Sequence, residues 1–155
     1  MRKKGATLTV KKVDEAERED FFNYNRVCIG APSYEFLPPL PMMDFLKRKL
    51  TLYRKKGYIK PCAPKVPGKN AIIFCTYSGP HTGIDEVTTA GKYMRQVFGH
   101  LGFDVKAEWY VMGEFHGSEE LGTKGRLGDI RGRPNDAGLA KIENGTAKLI
   151  SSLMS

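Results

Sequence analysis

The residues best suited to chemistry lie in two short loops, each placed directly after an apolar run. Thr76-Tyr77-Ser78-Gly79-Pro80-His81-Thr82-Gly83 follows Ala71 to Cys75 and combines turn formers with hydroxyls and one imidazole. Hydroxyls and backbone N–H groups at the carboxyl end of a strand are where open α/β sheets bind ligands. Pro32-Ser33-Tyr34-Glu35-Phe36-Leu37 follows Arg26 to Ala31, carries two aromatics and is stiffened by Pro38, Pro39 and Pro41, making it a second candidate. Other sets are weaker. Glu114, His116 and Glu119 hold metal-ligating atoms, but their spacing matches no established site and a hydrogen-bonded loop histidine is the plainer reading. Gly122-Thr123-Lys124-Gly125-Arg126 looks like an incomplete phosphate loop without its preceding strand, so a solvated loop is expected. Cys75 borders the Thr76–Gly83 loop with no CxxC partner, and it and Cys28 read as small hydrophobes inside strands. These readings predict no metal and no catalytic side chain.

Positioning such loops requires strands and helices in alternation. The unbroken apolar run Ala71 to Cys75 suits a central parallel strand covered on both faces. Val87, Ala90, Tyr93, Met94, Val97, Phe98 and Leu101 recur at helical spacing, with Asp85 and Glu86 in the first turn and Gly102 just past the end. Upstream, the β-branched stretch Ala6 to Val13 reads as a strand, and Asp14 to Phe22 as a short crossover helix or turn capped by Asp14 and anchored by Phe21, Phe22 and Tyr24. After Arg26 to Ala31, Pro41 opens a helix whose buried stripe is Met43, Leu46, Leu50 and Tyr53. Its Lys47-Arg48-Lys49 and Arg54-Lys55-Lys56 clusters are expected to face water. The proline-rich stretch Tyr58 to Gly68 is a connector. Phe103 to Met112 is a further strand, Ser118 to Arg133 a glycine- and charge-rich excursion, and Leu139, Ile142, Leu149, Ile150 and Leu153 mark a last helix. The pattern predicts one α/β domain with a parallel sheet and helices on both faces.

The chain has 155 residues and a net charge of +8, with 41% hydrophobic residues, enough for one domain with a sizeable core. No apolar run is long enough to span a membrane, and a cytoplasmic protein is expected. The charge is lopsided: residues 1–70 hold 16 Lys and Arg against 7 Asp and Glu, while residues 71–155 hold 9 against 10. Without interleaved aromatics or a nucleic-acid motif, the basic clusters read as a solvated face, or as a dock for an acidic partner, rather than as a nucleic-acid surface.

Two stretches, VCIGAPSYEFLPPLPMMDFL and IIFCTYSGPHTG, resemble the third and fourth strands of the flavodoxin-like family with their following loops, and RGRPND is similar to a segment before the last helix of longer members. The resemblance implies a three-layer α/β/α fold with a parallel sheet, and an FMN isoalloxazine ring held between the loops. Pro32, Ser33, Tyr34, Glu35 and Phe36 would line one side of the ring, and Thr76, Tyr77, Ser78, Gly79, His81, Thr82 and Gly83 the other. A flat apolar ring favours aromatic stacking, while its polar edge favours N–H donors. The implied function is FMN-dependent electron transfer to a redox partner protein or small acceptor; alternatives are an NAD(P)H-dependent quinone or FMN reductase, and a flavin-free interaction module docking an acidic partner. The chain departs from the family at its start, where no strand and Ser/Thr-Gly-rich phosphate loop precede Ala6. The expectation is a fold lacking its first strand and helix, a gap between Ala6–Val13 and Arg26–Ala31, weak or absent FMN binding, and homo-oligomerisation across the free strand edge.

Overall fold

The structure is a computed structural model describing residues 7–152. Three parallel strands form its sheet: β1 (Arg26–Pro32), β2 (Asn70–Tyr77) and β3 (Asp104–Met112), in the order β1-β2-β3. Helices α1 (Leu40–Lys55) and α2 (Asp85–His100) form the two crossovers; α3 (Glu119–Lys124) and α4 (Asp136–Ser152) follow the sheet. This is the α/β architecture that the sequence predicts, with each central element close to its expected bounds.

Strand register sorts the side chains. Ile29 pairs with Ile73 and Cys75 with Tyr110, so Val27, Ile29, Ala31, Ala71, Ile73, Cys75 and Tyr77 share one face. That face packs on α1 and α2 through Phe45, Leu46, Tyr53, Val87, Ala90, Met94, Val97 and Phe98, the main core. The predicted stripe of α2 is buried, with Tyr93 half-buried. On the opposite face, Cys28, Gly30, Ile72, Phe74 and Trp109 line up, and α4 approaches through Gly145 beside the Trp109 ring. Helices therefore lie on both sides, giving three layers.

The opposite face corrects one expectation. Phe74 is 39% exposed and Cys28 is exposed, although the apolar runs predict both as interior strand residues. An unbroken apolar run is covered on both faces only where helices flank it, and α4 contacts the sheet at β3, at the far side from β1. Within α4, Leu139 is likewise exposed while Thr146 and Ile150 are buried; Leu153 lies outside the described residues.

The expected strand Ala6–Val13 is a second correction. Ala6 lies outside the described residues, and residues 7–12 form no strand; Leu8 and Val10 are exposed. From Lys12 the backbone closes turns instead: Glu15 N–H donates to Lys12 C=O and Glu19 N–H to Ala16 C=O, while Lys11 pairs with Glu19. A strand needs a partner ladder, and among the described residues β1 pairs only with β2. The gap drawn between two strands thus does not exist as drawn, yet β1 is an edge strand. The crossover helix is also shorter than expected, a 3-10 turn at Phe21–Asn23 capped by Asp20 rather than Asp14. Its anchor is aromatic: Phe21 stacks on Phe98 at 5.3 Å, and Phe22 meets Tyr58 at 4.5 Å and Phe103 at 5.2 Å.

The basic clusters of α1 do not all face water. Lys49 is 2% exposed, in the row Phe45-Lys49-Tyr53 at four-residue spacing. Its ammonium donates to the carbonyls of Glu17 and Glu19, at 2.6 Å each, and lies over the rings of Phe21 and Phe45. Burial pulls its pKa down, opposed by Glu17, Asp20 and Glu19. Met43 and Leu50, expected in the buried stripe, are half-buried.

Candidate functional site

Both candidate loops leave the carboxyl ends of adjacent parallel strands, and specific bonds hold them together. Ser33 N–H donates to Thr76 C=O at 2.9 Å, extending the ladder one step past β1. The Ser33 hydroxyl donates to Glu86 C=O at 2.6 Å, tying the first loop to the first turn of α2.

The first loop then reverses in a two-residue turn. Tyr34 and Leu37 exchange both backbone bonds, N–H to C=O, at 2.8 and 3.0 Å. Glu35 and Phe36 between them have φ of 48° and 71°. Paired positive φ values define a tight turn normally built from Asn or Gly, and side chains there cost of order 1–3 kcal/mol. The strained turn displays Tyr34, 65% exposed, and Phe36, 57% exposed, beyond the sheet. Pro32 ends β1, and Pro38 is buried beneath the turn.

The second loop is a compact knot. Gly83 N–H donates to Gly79 C=O at 3.1 Å, and a Cβ on Gly79 would stand 2.6 Å from Gly83 C=O, so only glycine fits. The Glu86 carboxylate accepts from the N–H groups of both His81 and Thr82, at 2.8 and 2.7 Å. These two amides are therefore engaged within the protein, and the N-terminus of α2 is already neutralised by its own carboxylate. The His81 and Thr82 side chains are exposed. Tyr77 faces the α1 and α2 side, half-buried against the core, where burial raises its hydroxyl pKa; Thr76 points to the opposite, open face. The structure thus brings Ser33, Thr76 and the backbone of the 79–83 knot together, while Tyr77 belongs partly to the scaffold.

A third segment supports the site, although the sequence predicts a solvated loop at its Gly122-Thr123-Lys124-Gly125-Arg126 stretch. Gly113 N–H donates to Tyr77 C=O at 2.8 Å, the Ser78 hydroxyl to Glu114 C=O at 3.3 Å, and Arg126 N–H to Pro80 C=O at 2.8 Å. Glu114 joins the excursion back on itself, its carboxylate accepting from Gly132 N–H at 2.8 Å. Ile130 is 1% exposed, and Ser118 caps α3. The excursion is a bracket beneath the 76–83 loop, and Gly122-Thr123-Lys124-Gly125-Arg126 is part of it. An apolar Ile130 amid charge was the available signal.

Among the described residues no three His, Cys, Asp or Glu side chains converge as a metal site; Glu114 and exposed His116 approach only to 3.7 Å. Burial, with the Glu108 charge, pushes the Cys75 thiol up to about 11, leaving it protonated and unreactive at neutral pH. No helix among the described residues is long and apolar enough to cross a membrane. A scan of family models and a search of curated proteins find no match to this chain, so the geometry of the loops carries the functional argument.

Proposed function

We propose that this protein is a flavodoxin-like redox protein whose two loops hold the ring of FMN, with electron transfer to a partner protein or small acceptor. The observation that carries the reading is the strained Tyr34–Leu37 turn. Two non-glycine residues held at positive φ present exposed aromatics at the carboxyl end of a parallel strand, next to a glycine knot on the neighbouring strand. Backbone strain of this kind is concentrated at ligand clamps. Such a flavin supplies the electron chemistry itself. The chain's own residues bind and orient the ring: Tyr34 and Phe36 on one side, the Thr76–Gly83 loop on the other, with Ser33 fixing their separation.

The residues suit the ring better than the phosphate. An FMN phosphate needs a cradle of free N–H groups, whereas the N–H groups of His81 and Thr82 are taken by Glu86. FMN and riboflavin should therefore bind with similar, modest affinity. The test is the absorption spectrum of purified protein titrated with FMN and with riboflavin, repeated on Tyr77→Ala. A red-shifted, structured flavin band with Tyr77→Ala weakened by about 1–3 kcal/mol supports ring binding between the loops. An unchanged spectrum at saturating flavin rejects it and leaves the flavin-free interaction module. NAD(P)H oxidation with an added quinone separates a reductase from a carrier. The edge of β1, unpaired among the described residues, adds the expectation of self-association, read by light scattering.

A further inference from the structure

The outer face of α1 holds a second feature, independent of the flavin reading. Lys47, Arg48, Thr51, Leu52 and Lys55 line a shallow hollow of about 370 Å³. On a helix these positions form two neighbouring rows, Lys47-Thr51-Lys55 and Arg48-Leu52. The result is a cation at each end and an apolar centre, Leu52, 41% exposed.

The charges at the two ends are available. Lys47 meets Asp44 only at 3.8 Å in an exposed pair, a contact worth little in water. Lys55 makes no ion pair among the described residues, whereas Arg48 is fixed by two bonds to Glu17, at 3.1 and 3.0 Å, and forms a wall of the hollow. Lys47 and Lys55 lie eight residues apart, about 12 Å along the helix axis. An extended chain covers about 13 Å in four residues, with alternate side chains on one face.

We propose that this hollow docks an extended acidic segment of a partner protein, with carboxylates four residues apart on Lys47 and Lys55 and an apolar side chain between them on Leu52. Charge complementarity chooses the sign of the partner, and Leu52 chooses its class: a nucleic-acid backbone would meet the cations but leave Leu52 uncovered. The hollow starts half-way along α1 and runs away from the candidate loops, since Lys55 lies about 22 Å along the axis from Leu40. A partner seated here is tethered and does not cover the loops.

The experiment titrates the 155-residue protein at low salt with the peptide Gly-Glu-Ser-Leu-Ser-Glu-Gly, following backbone amide shifts. Shifts should concentrate on residues 47–55. The double reversal Lys47→Glu/Lys55→Glu should weaken binding at least about tenfold, and Leu52→Ser about threefold or more. Lys141→Glu/Lys148→Glu, the same charge change on exposed positions of α4, should stay within about twofold of wild type. Folding of each variant is verified by its unshifted spectrum outside the substituted helix. The proposal is overturned if the α4 reversal loses as much as the α1 reversal, if a peptide with Ser in place of Leu binds equally well, or if a DNA duplex of equal charge displaces the peptide. None of these arms contains flavin, so the result stands whatever the loops bind.

Discussion

Replacing Tyr53 with Phe tests the joint between the segment before β1 and α1. Tyr53 is fully buried, and its hydroxyl accepts from Phe21 N–H at 2.7 Å while donating to Asp20 at 3.0 Å. Phenylalanine keeps the ring contacts with Phe21, Phe22 and Tyr58 and removes only the oxygen. The Phe21 N–H is then stranded in the core, at about 1–3 kcal/mol. Asp20 keeps its bonds to Lys56 and Phe22 N–H and, being 23% exposed, recovers part of the lost bond from water. The combined loss is about 2–4 kcal/mol, a large share of the stability of a domain this size, with a fall in Tm on the order of 10 °C. Urea unfolding should show a lower midpoint at unchanged slope. The loss should also depend on pH. Burial pushes the Asp20 carboxyl up, but bonds from Lys56, Phe22 N–H and Tyr53 outweigh it and hold the folded pKa below the ordinary value. A depressed carboxyl contributes in full above its unfolded pKa and loses that contribution as pH falls through the folded one. The gap between wild type and Tyr53→Phe is therefore widest near neutrality and narrows in acid. A loss below about 0.5 kcal/mol at pH 7, or a gap that widens in acid, refutes the assigned bonds.

Three other substitutions probe the site's supports. Glu86→Ala strips the acceptor from His81 and Thr82 N–H and should cost about 1–2 kcal/mol by thermal melting, with faster amide exchange at those two residues. Gly91→Ala places a Cβ 2.5 Å from the Tyr110 hydroxyl, which bonds Glu108, and should cost about 1–3 kcal/mol, seen as a reduced urea midpoint. Ser33→Ala releases the loop from Glu86 C=O; about 1 kcal/mol of stability should be lost, and flavin affinity should fall with it under the proposed reading, as measured by fluorescence titration.

Much of this fold was legible because its central elements obey a single period. The 3.6-residue recurrence from Val87 to Leu101 and the apolar runs of β1 and β2 specify helix and strand with little help from distant residues. Residues 7–13 misled because alternation and β-branching describe a surface that fits a sheet but do not choose between pairing on the free edge of β1 and the turns that the chain closes from Lys12 onward. Lys49 was hidden by its type: position puts it in the buried row, and only the carbonyls of Glu17 and Glu19 make the burial tolerable. The loops were legible as turn chemistry at strand ends. The strain at Glu35 and Phe36 was not, since neither residue favours positive φ and the turn is imposed by Leu37 bonding back to Tyr34. The bracket from Ser118 to Arg133 offers only Ile130 as a sign of burial, because its bond to the 76–83 loop, Arg126 N–H to Pro80 C=O, joins backbone groups far apart in sequence.

The Lys49 clamp also makes this side chain a built-in reporter. Acylating reagents are attacked by a free, unprotonated amine; the Lys49 amine is sealed beneath residues 17–21 and spends its protons on two carbonyls. Exposed neighbours such as Lys47 and Lys55 label on mixing. Lys49 labels only in molecules whose turn segment has lifted from α1, so its labelling rate counts those openings directly. Adjacent lysines on one helix thus carry an internal clock and its reference, and mass spectrometry of a single tryptic region reads both.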